Sequence, residues 1–240
     1  MKLAWGLLAV LLAITPARAQ TEACPIPPDV ALTDLSLPAA KAAVAAKHLV
    51  IMTIGGAATA GIAAGGPEFS WPTRLAVRLR QELPDVDISV VSRAASRQSA
   101  AKSVRHLDED LAQTGANLVI WSAGAAEAGA GADEQQFADE LERGIGKIHA
   151  VGADLIMMDV QYAPSIARVV NLPPYRDAML RVGMVHDVAV LDRYELMRDW
   201  SDDNVLDFDV TDPAKRIEVA RRLFDCLAQA MAEGIVPAVR

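Results

Sequence analysis

The chain has 240 residues and a formal net charge of -8 at pH 7, and 52% of its residues are hydrophobic. This length and composition allow one sizeable core. The acidic balance argues against binding to nucleic acid, whose phosphates need a basic surface, and against adhesion to anionic lipid.

The N-terminus has the pattern of a secretory signal peptide. Lys2 supplies a positive start, residues 3–14 form a short apolar run, and Ala17-Arg18-Ala19 matches an A-x-A cleavage site. No later run is long enough to predict a transmembrane helix. We therefore expect a signal peptide over residues 1–19, one domain over 20–240, and a periplasmic or secreted location.

After this start, apolar runs alternate with segments of helical periodicity. Strands are predicted over residues 48–54, 86–92, 117–122, 154–159 and 187–191. Helices are predicted over residues 39–47, 70–82, 98–114, 133–151, 174–183, 194–200 and 213–232, with an acidic loop over 202–211. This alternation predicts a three-layer α/β/α fold with a doubly wound, flavodoxin-like parallel sheet of five strands. In such folds ligands bind beyond the carboxyl ends of the strands.

Two cysteines, Cys24 and Cys226, lie near opposite ends of the exported chain. An oxidising compartment favours a disulfide between them, which would tie the leading segment to the last helix. The alternative is that Cys226 is a small buried hydrophobic residue.

The first strand ends in a turn of small residues, Gly55 to Gly61. With Gly55 and the following Thr59-Ala60-Gly61, this segment resembles the first block of the SGNH/GDSL hydrolases, where G-D-S or G-S-S carries the nucleophilic serine. Ala57 occupies the serine position, and a methyl group cannot attack a carbonyl. The resemblance makes Gly55, Gly56 and Thr59 candidates for ligand binding.

The second and third blocks of that family are also altered. Relatives carry N-x-G-x-x-G after the second strand, whereas this chain has Ser92, Ala94 and Arg97 in the three motif positions. Relatives carry G-x-N after the third strand, and here Ala126 replaces the asparagine that donates to the oxyanion. Arg97 is a binding candidate, although it could equally be a solvated surface residue. Glu127, which follows Ala126, is a second candidate.

The last block of the family is D-x-x-H, whose histidine is the general base. Here Asp209 matches the aspartate and Asp212 stands in the histidine position. An ionised aspartate of ordinary pKa is a poor base for a serine hydroxyl.

Two further segments resemble one exported bacterial subgroup of the same family. Residues 158–164 look like its M-D-P-Q-Y-A-P segment, and residues 193–200 look like its R-x-x-x-M-x-x-W segment. The first of these adds Gln161 and Tyr162 to the binding candidates.

None of the four histidines is predicted to follow a strand, where reacting groups would converge: His48, His106, His149 and His186. Four carboxylates are predicted near the carboxyl edge of the sheet: Glu127, Asp159, Asp209 and Asp212. They could bind a hard cation such as calcium, or they could cap helices and face water.

Three functions remain open at this point. The leading hypothesis is a non-catalytic SGNH-like protein of the cell envelope, which binds a carbohydrate or acyl ligand or an envelope protein and needs no cofactor. The second is an active esterase of envelope sugar or lipid esters with displaced catalytic groups. The third is a metal-dependent binding protein that uses the four carboxylates.

Overall fold

Five parallel strands form one sheet in the computed structural model, which describes residues 23–240. In chain order they are β1 His48–Gly55, β2 Asp87–Ala94, β3 Leu118–Ser122, β4 Asp154–Met158 and β5 Ala189–Leu191. Their order across the sheet is β2-β1-β3-β4-β5. The predicted signal peptide, residues 1–19, lies outside the described residues.

Helices cover both faces of this sheet. They are α1 Pro38–Ala45, α2 Trp71–Glu82, α3 Ala100–Thr114, α4 Ala125–Ala130, α5 Glu134–Ala150, α6 Pro164–Ala167, α7 Pro173–Val185, α8 Arg193–Asp202 and α9 Pro213–Val239. Helices α1, α2, α8 and α9 share one apolar cluster, whereas α3, α5 and α7 share the other. The predicted three-layer α/β/α fold with a five-stranded parallel sheet is confirmed.

The central strands explain why two clusters form. Successive side chains of a strand point to opposite faces. In β1, Leu49 and Ile51 therefore join the first cluster, while Met52 and Ile54 join the second. Because both faces are covered, the strand reads as a continuous apolar run.

The last helix is longer than its pattern predicts. Helix α9 continues past the predicted end at residue 232 to Val239 and includes Pro237. Ile235, Val236 and Val239 are buried in the first apolar cluster. Packing against the fold thus extends the helix beyond the point at which composition predicts its end. Helices α4 and α6 are short, and neither was predicted from the sequence.

The segment before α1 is attached to α9. Cys24 and Cys226 form a disulfide with Cα atoms 5.4 Å apart, so that prediction is confirmed. Gln229 accepts a hydrogen bond from the Cys24 backbone N–H at 3.0 Å and donates one to its carbonyl at 3.1 Å. Trp200 Nε1 donates to the Pro25 carbonyl at 2.7 Å. Within residues 23–240, no helix is both long enough and apolar enough to cross a membrane.

Candidate functional site

A cavity of about 400 Å³ lies at the carboxyl edge of the sheet. Its lining comes from the segments that follow all five strands: Gly56, Ala57, Ala58, Thr59, Ile62, Ala63, Ser96, Arg97, Gln98, Ser122, Ala123, Ala125, Ala126, Gln161 and Arg193. Parallel strands present all their carboxyl ends at one edge, which is why these segments meet. The cavity therefore occupies the place at which the fold predicts a ligand.

The turn after β1 places Ala57 in the cavity wall. Gly55 precedes it by two positions, and a Cβ at Gly55 would clash with Thr59 Oγ1, so only glycine fits there. The Thr59 side chain is buried, and its Oγ1 accepts a hydrogen bond from Trp71 Nε1 at 3.4 Å. The methyl group of Ala57 thus lies in the cavity wall, on a turn that packs closely around Thr59.

The loop after β2 contributes Arg97 to the lining, whereas Ala94 remains in the strand opposite Gly55. Arg97 has a φ of 56°, in the left-handed region that favours glycine. Relatives carry the second glycine of their motif at this position. Arg97 thus adopts a backbone conformation that is uncommon for a residue with a side chain.

The segment after β3 brings Ala126 into the wall. It follows Gly124, whose φ of 90° and close approach to Val160 exclude a side chain. Ser122 and Ala123 line the same wall. The methyl group of Ala126, which the sequence resemblance aligns with an asparagine, thus borders the cavity.

Glu127 does not line this cavity, so its proposed role in binding is not supported. Its side chain is buried, and Oε1 accepts a hydrogen bond from the Ala100 N–H at 2.5 Å, at the start of α3. The carboxylate therefore stabilises the positive end of that helix. Its Oε2 atom is buried and has no hydrogen-bond partner among the described residues.

Burial raises the pKa of Glu127 above its ordinary value of 4.5, against the opposing effect of backbone N–H groups. Between the ordinary and the raised pKa, the folded state binds more protons than the unfolded state, so stability falls as pH rises. We expect the free energy of unfolding of the wild type, minus that of Glu127→Gln, to decrease as pH rises from about 4.5 through the raised pKa. Urea denaturation of both proteins across a pH series would measure this difference. A difference that stays constant or grows with pH would contradict the assignment.

The segments after β4 and β5 supply a buried charged group. Arg193, the first residue of α8, lines the cavity and is only 2% exposed. Its Nη2 donates to Gln161 Oε1 at 3.0 Å. The neighbouring Tyr162 does not line the cavity; instead it packs edge-on against Tyr194, with ring centroids 5.2 Å apart.

Arg193 was not among the residues predicted for the site, although it begins one of the two subgroup segments. A signal was available, since Arg193 lies two positions after the end of the fifth strand, at the ligand-binding edge. Its burial could not be predicted, because helical periodicity does not show which face of so short a helix meets the sheet.

The last block lies elsewhere. Asp212 is exposed and caps α9, where its Oδ1 accepts from the Lys215 N–H at 2.9 Å. Asp209 is also exposed, and its Oδ2 lies 3.6 Å from Arg168 Nη2. Neither residue lines the cavity. The preference for aspartate at a helix N-cap accounts for Asp212 without a catalytic role.

The four carboxylates considered for a cation do not converge. Asp159 is fully buried, and it binds the Tyr194 N–H at 3.0 Å and faces Arg176 at 3.5 Å. Within residues 23–240, no group of three or more His, Cys, Asp or Glu side chains is placed to hold a metal ion. The expectation that Glu127, Asp159, Asp209 and Asp212 share a site is therefore corrected, since each has a separate structural partner.

The cavity lining formed by the described residues contains no histidine. His48 begins β1 at the opposite edge of the sheet and lies 3.1 Å from Asp87, while His186 lies 3.8 Å from Glu142. His106 and His149 are exposed on α3 and α5. No imidazole is thus in place to activate Ser122 or Thr59.

Residues 23–240 match the sequence model of the Non-GDSL lipase-like family. No curated protein sequence matches the chain significantly.

Solved structures with a similar fold include esterases and a lipase. An esterase, EstA from Pseudoalteromonas sp., has a TM-score of 0.57 at 18% identity, covering 76% of this chain and 98% of its own. A lipase/acylhydrolase from Enterococcus faecalis has a TM-score of 0.62 at 17% identity, covering 79% and 96%. A two-domain esterase active on acetylated mannans has a TM-score of 0.65 at 14% identity, covering 84% and 56%. At these identities the likeness shows the fold alone.

Proposed function

The chain belongs to the Non-GDSL lipase-like family, and we propose that it is a non-catalytic member that binds its ligand in the cavity without cleaving it. The observation that carries this proposal is the cavity wall itself. Ala57 and Ala126 line it, and the sequence resemblance aligns them with the nucleophile and an oxyanion donor of the SGNH/GDSL hydrolases. The fold keeps the ligand-binding edge while the described lining lacks a reactive pair.

The expected losses of turnover favour a binding role over slow catalysis. Loss of a serine nucleophile alone removes up to about a million-fold of turnover. Loss of one oxyanion donor removes about a hundred- to a thousand-fold. The hydroxyl groups of Ser122 and Thr59 have no neighbouring imidazole in the lining, so they do not replace the missing pair.

The structural neighbours support a proposal for the class of ligand. The fold is shared with acylhydrolases and with an esterase active on acetylated mannans, which supports an acyl or carbohydrate ligand. We further propose that the protein acts in the periplasm or outside the cell. The Cys24–Cys226 disulfide supports an oxidising compartment.

We expect purified protein to hydrolyse p-nitrophenyl acetate only at the rate of buffer, and a fluorophosphonate probe to leave it unlabelled. An active esterase of the same fold, assayed in parallel, controls for the reagents. Ala57→Ser is a matched variant that restores a hydroxyl without a base, and we expect it to stay at background too.

The opposite outcome is equally specific. Hydrolysis that scales with protein concentration and is abolished in Ser122→Ala would establish that the Ser122 hydroxyl acts as a displaced nucleophile. A covalent fluorophosphonate adduct on any cavity residue of the wild type would also overturn the proposal.

A further inference from the structure

The cavity is positively charged although the protein is acidic. The chain carries a formal net charge of -8. The charged residues in the described lining are Arg97 and Arg193, and no aspartate or glutamate accompanies them. This local excess of positive charge favours an anionic ligand.

Arg193 has donor capacity that the fold does not use. It is 2% exposed, and its guanidinium reaches Gln161 through Nη2. Its Nε atom is buried without a hydrogen-bond partner among residues 23–240. A buried cation is costly unless it is paired and hydrogen-bonded. An anion in the cavity would supply a paired charge and hydrogen-bond acceptors for the guanidinium.

The buried carboxylate of Asp159 does not form a direct ion pair with Arg193. Asp159 attracts it electrostatically but binds Tyr194 N–H and faces Arg176 instead. Burial lowers the pKa of Arg193 to about 10, so the guanidinium remains charged at neutral pH. The side chain is thus a fixed positive charge at the cavity wall.

Arg97 is present in spite of its backbone conformation. A non-glycine residue in the left-handed region is strained, and such outliers cluster at ligand sites. Arg97 has a φ of 56°, its side chain is exposed, and it lines the cavity. No carboxylate of residues 23–240 forms an ion pair with it. A glycine would relieve the conformation but would remove the cation.

Most of the remaining wall consists of small apolar residues. Methyl-bearing residues dominate it: Ala57, Ala58, Ile62, Ala63, Ala123, Ala125 and Ala126. Gln161 adds an amide whose Oε1 is already occupied by Arg193, which leaves its Nε2 group as a donor. The two arginines and the Gln161 Nε2 group therefore offer donors to a ligand, and the apolar part of the wall suits a short hydrocarbon body.

We propose that the cavity binds a small amphiphilic anion, with a carboxylate or phosphate head held by Arg193 and Arg97 and an apolar body packed against Ala57 and Ala126. This proposal rests on the non-catalytic binding role proposed above. The guanidinium fork suits both heads, because each presents two oxygens for paired hydrogen bonds.

Isothermal titration calorimetry of the purified full chain tests the charge preference. The probes are octanoate, octyl phosphate, the neutral octanamide and mannopentaose. We expect at least one of the two anions to bind about tenfold or more tightly than octanamide, because charge-assisted hydrogen bonds are roughly twice as strong as neutral ones. The stronger of the two anions identifies the head group.

Variants at Arg97 test the proposed contact on an exposed side chain, where folding is not at risk. Arg97→Ala should weaken anion binding by about three- to tenfold, and the loss should shrink at high salt. Arg97→Gly should weaken binding similarly while raising the melting temperature, because it relieves the left-handed conformation. Arg105→Ala removes an equal charge from an exposed position of α3 outside the lining, and it should change neither property.

Three results would overturn the anion proposal: no binding of either anion at millimolar concentration, octanamide binding within about twofold of both anions, or unchanged anion affinity in Arg97→Ala. Preferential binding of mannopentaose would overturn it while leaving non-catalytic binding intact. Hydrolysis of p-nitrophenyl acetate together with anion preference would overturn the binding-only role and leave the anion site standing.

Discussion

Removing the Cys24–Cys226 disulfide is expected to lower the free energy of unfolding by about 2–5 kcal/mol. The bridge closes a loop with a sequence separation of 202 residues, so it restricts the unfolded chain strongly. In a domain of this size that loss corresponds to a fall of roughly 5–20 °C in melting temperature. Thermal denaturation of Cys24→Ala/Cys226→Ala beside the wild type measures it.

Reductant supplies the control for this prediction. Dithiothreitol should lower the melting temperature of the wild type and leave that of the double-alanine variant unchanged. Two hydrogen bonds between Cys24 and Gln229 hold the same residue, so part of the attachment should survive reduction. A wild type whose thiols are shown to be reduced but whose melting temperature is unchanged would contradict the prediction.

The second large effect is expected at Asp159. This carboxyl is fully buried beside Arg176, and it also attracts Arg193. Burial, and then the charge of Asp192, raises its pKa, while the two arginines and the Tyr194 N–H oppose the rise. Asp159→Ala removes the acceptor for that N–H and the group that faces both cations. Breaking such a buried set typically costs about 3–5 kcal/mol.

Chemical denaturation of Asp159→Ala should show this loss. Asp159→Asn keeps an acceptor for Tyr194 N–H and should cost less. Asp209→Ala is the matched control, because its carboxylate is half exposed and lies 3.6 Å from an exposed Arg168; there we expect a change below about 0.5 kcal/mol. A change of the same small size at Asp159 would show that the buried cluster contributes little.

The Asp209 and Asp212 segment illustrates a limit of reasoning from the sequence. The resemblance aligns these residues with the aspartate and base of the family, but it does not say how an acidic loop follows the surface. In the structure Asp212 meets the first turn of α9 and Asp209 faces Arg168. The position of Asp212 depends on a local helix cap, which involves only a few neighbouring residues. The position of Asp209 depends on a contact across the surface.

Arg97 shows what a motif position alone leaves open. The resemblance aligns it with a glycine position, and in the structure its backbone lies in the left-handed region. What the motif could not show is that the guanidinium borders a cavity shared with Arg193.

The amino-acid sequence by itself determined the layered fold, the five strands and the site's small residues, because these depend on periodicity and on local turn geometry. It also pointed correctly to the pairing of Cys24 with Cys226. Only the tertiary structure decided that Arg193 is buried at the cavity, that Glu127 serves the start of α3, and that four carboxylates go to separate partners. The physical reason is that burial and charge pairing depend on which distant segments meet, and residue order alone does not specify those distances.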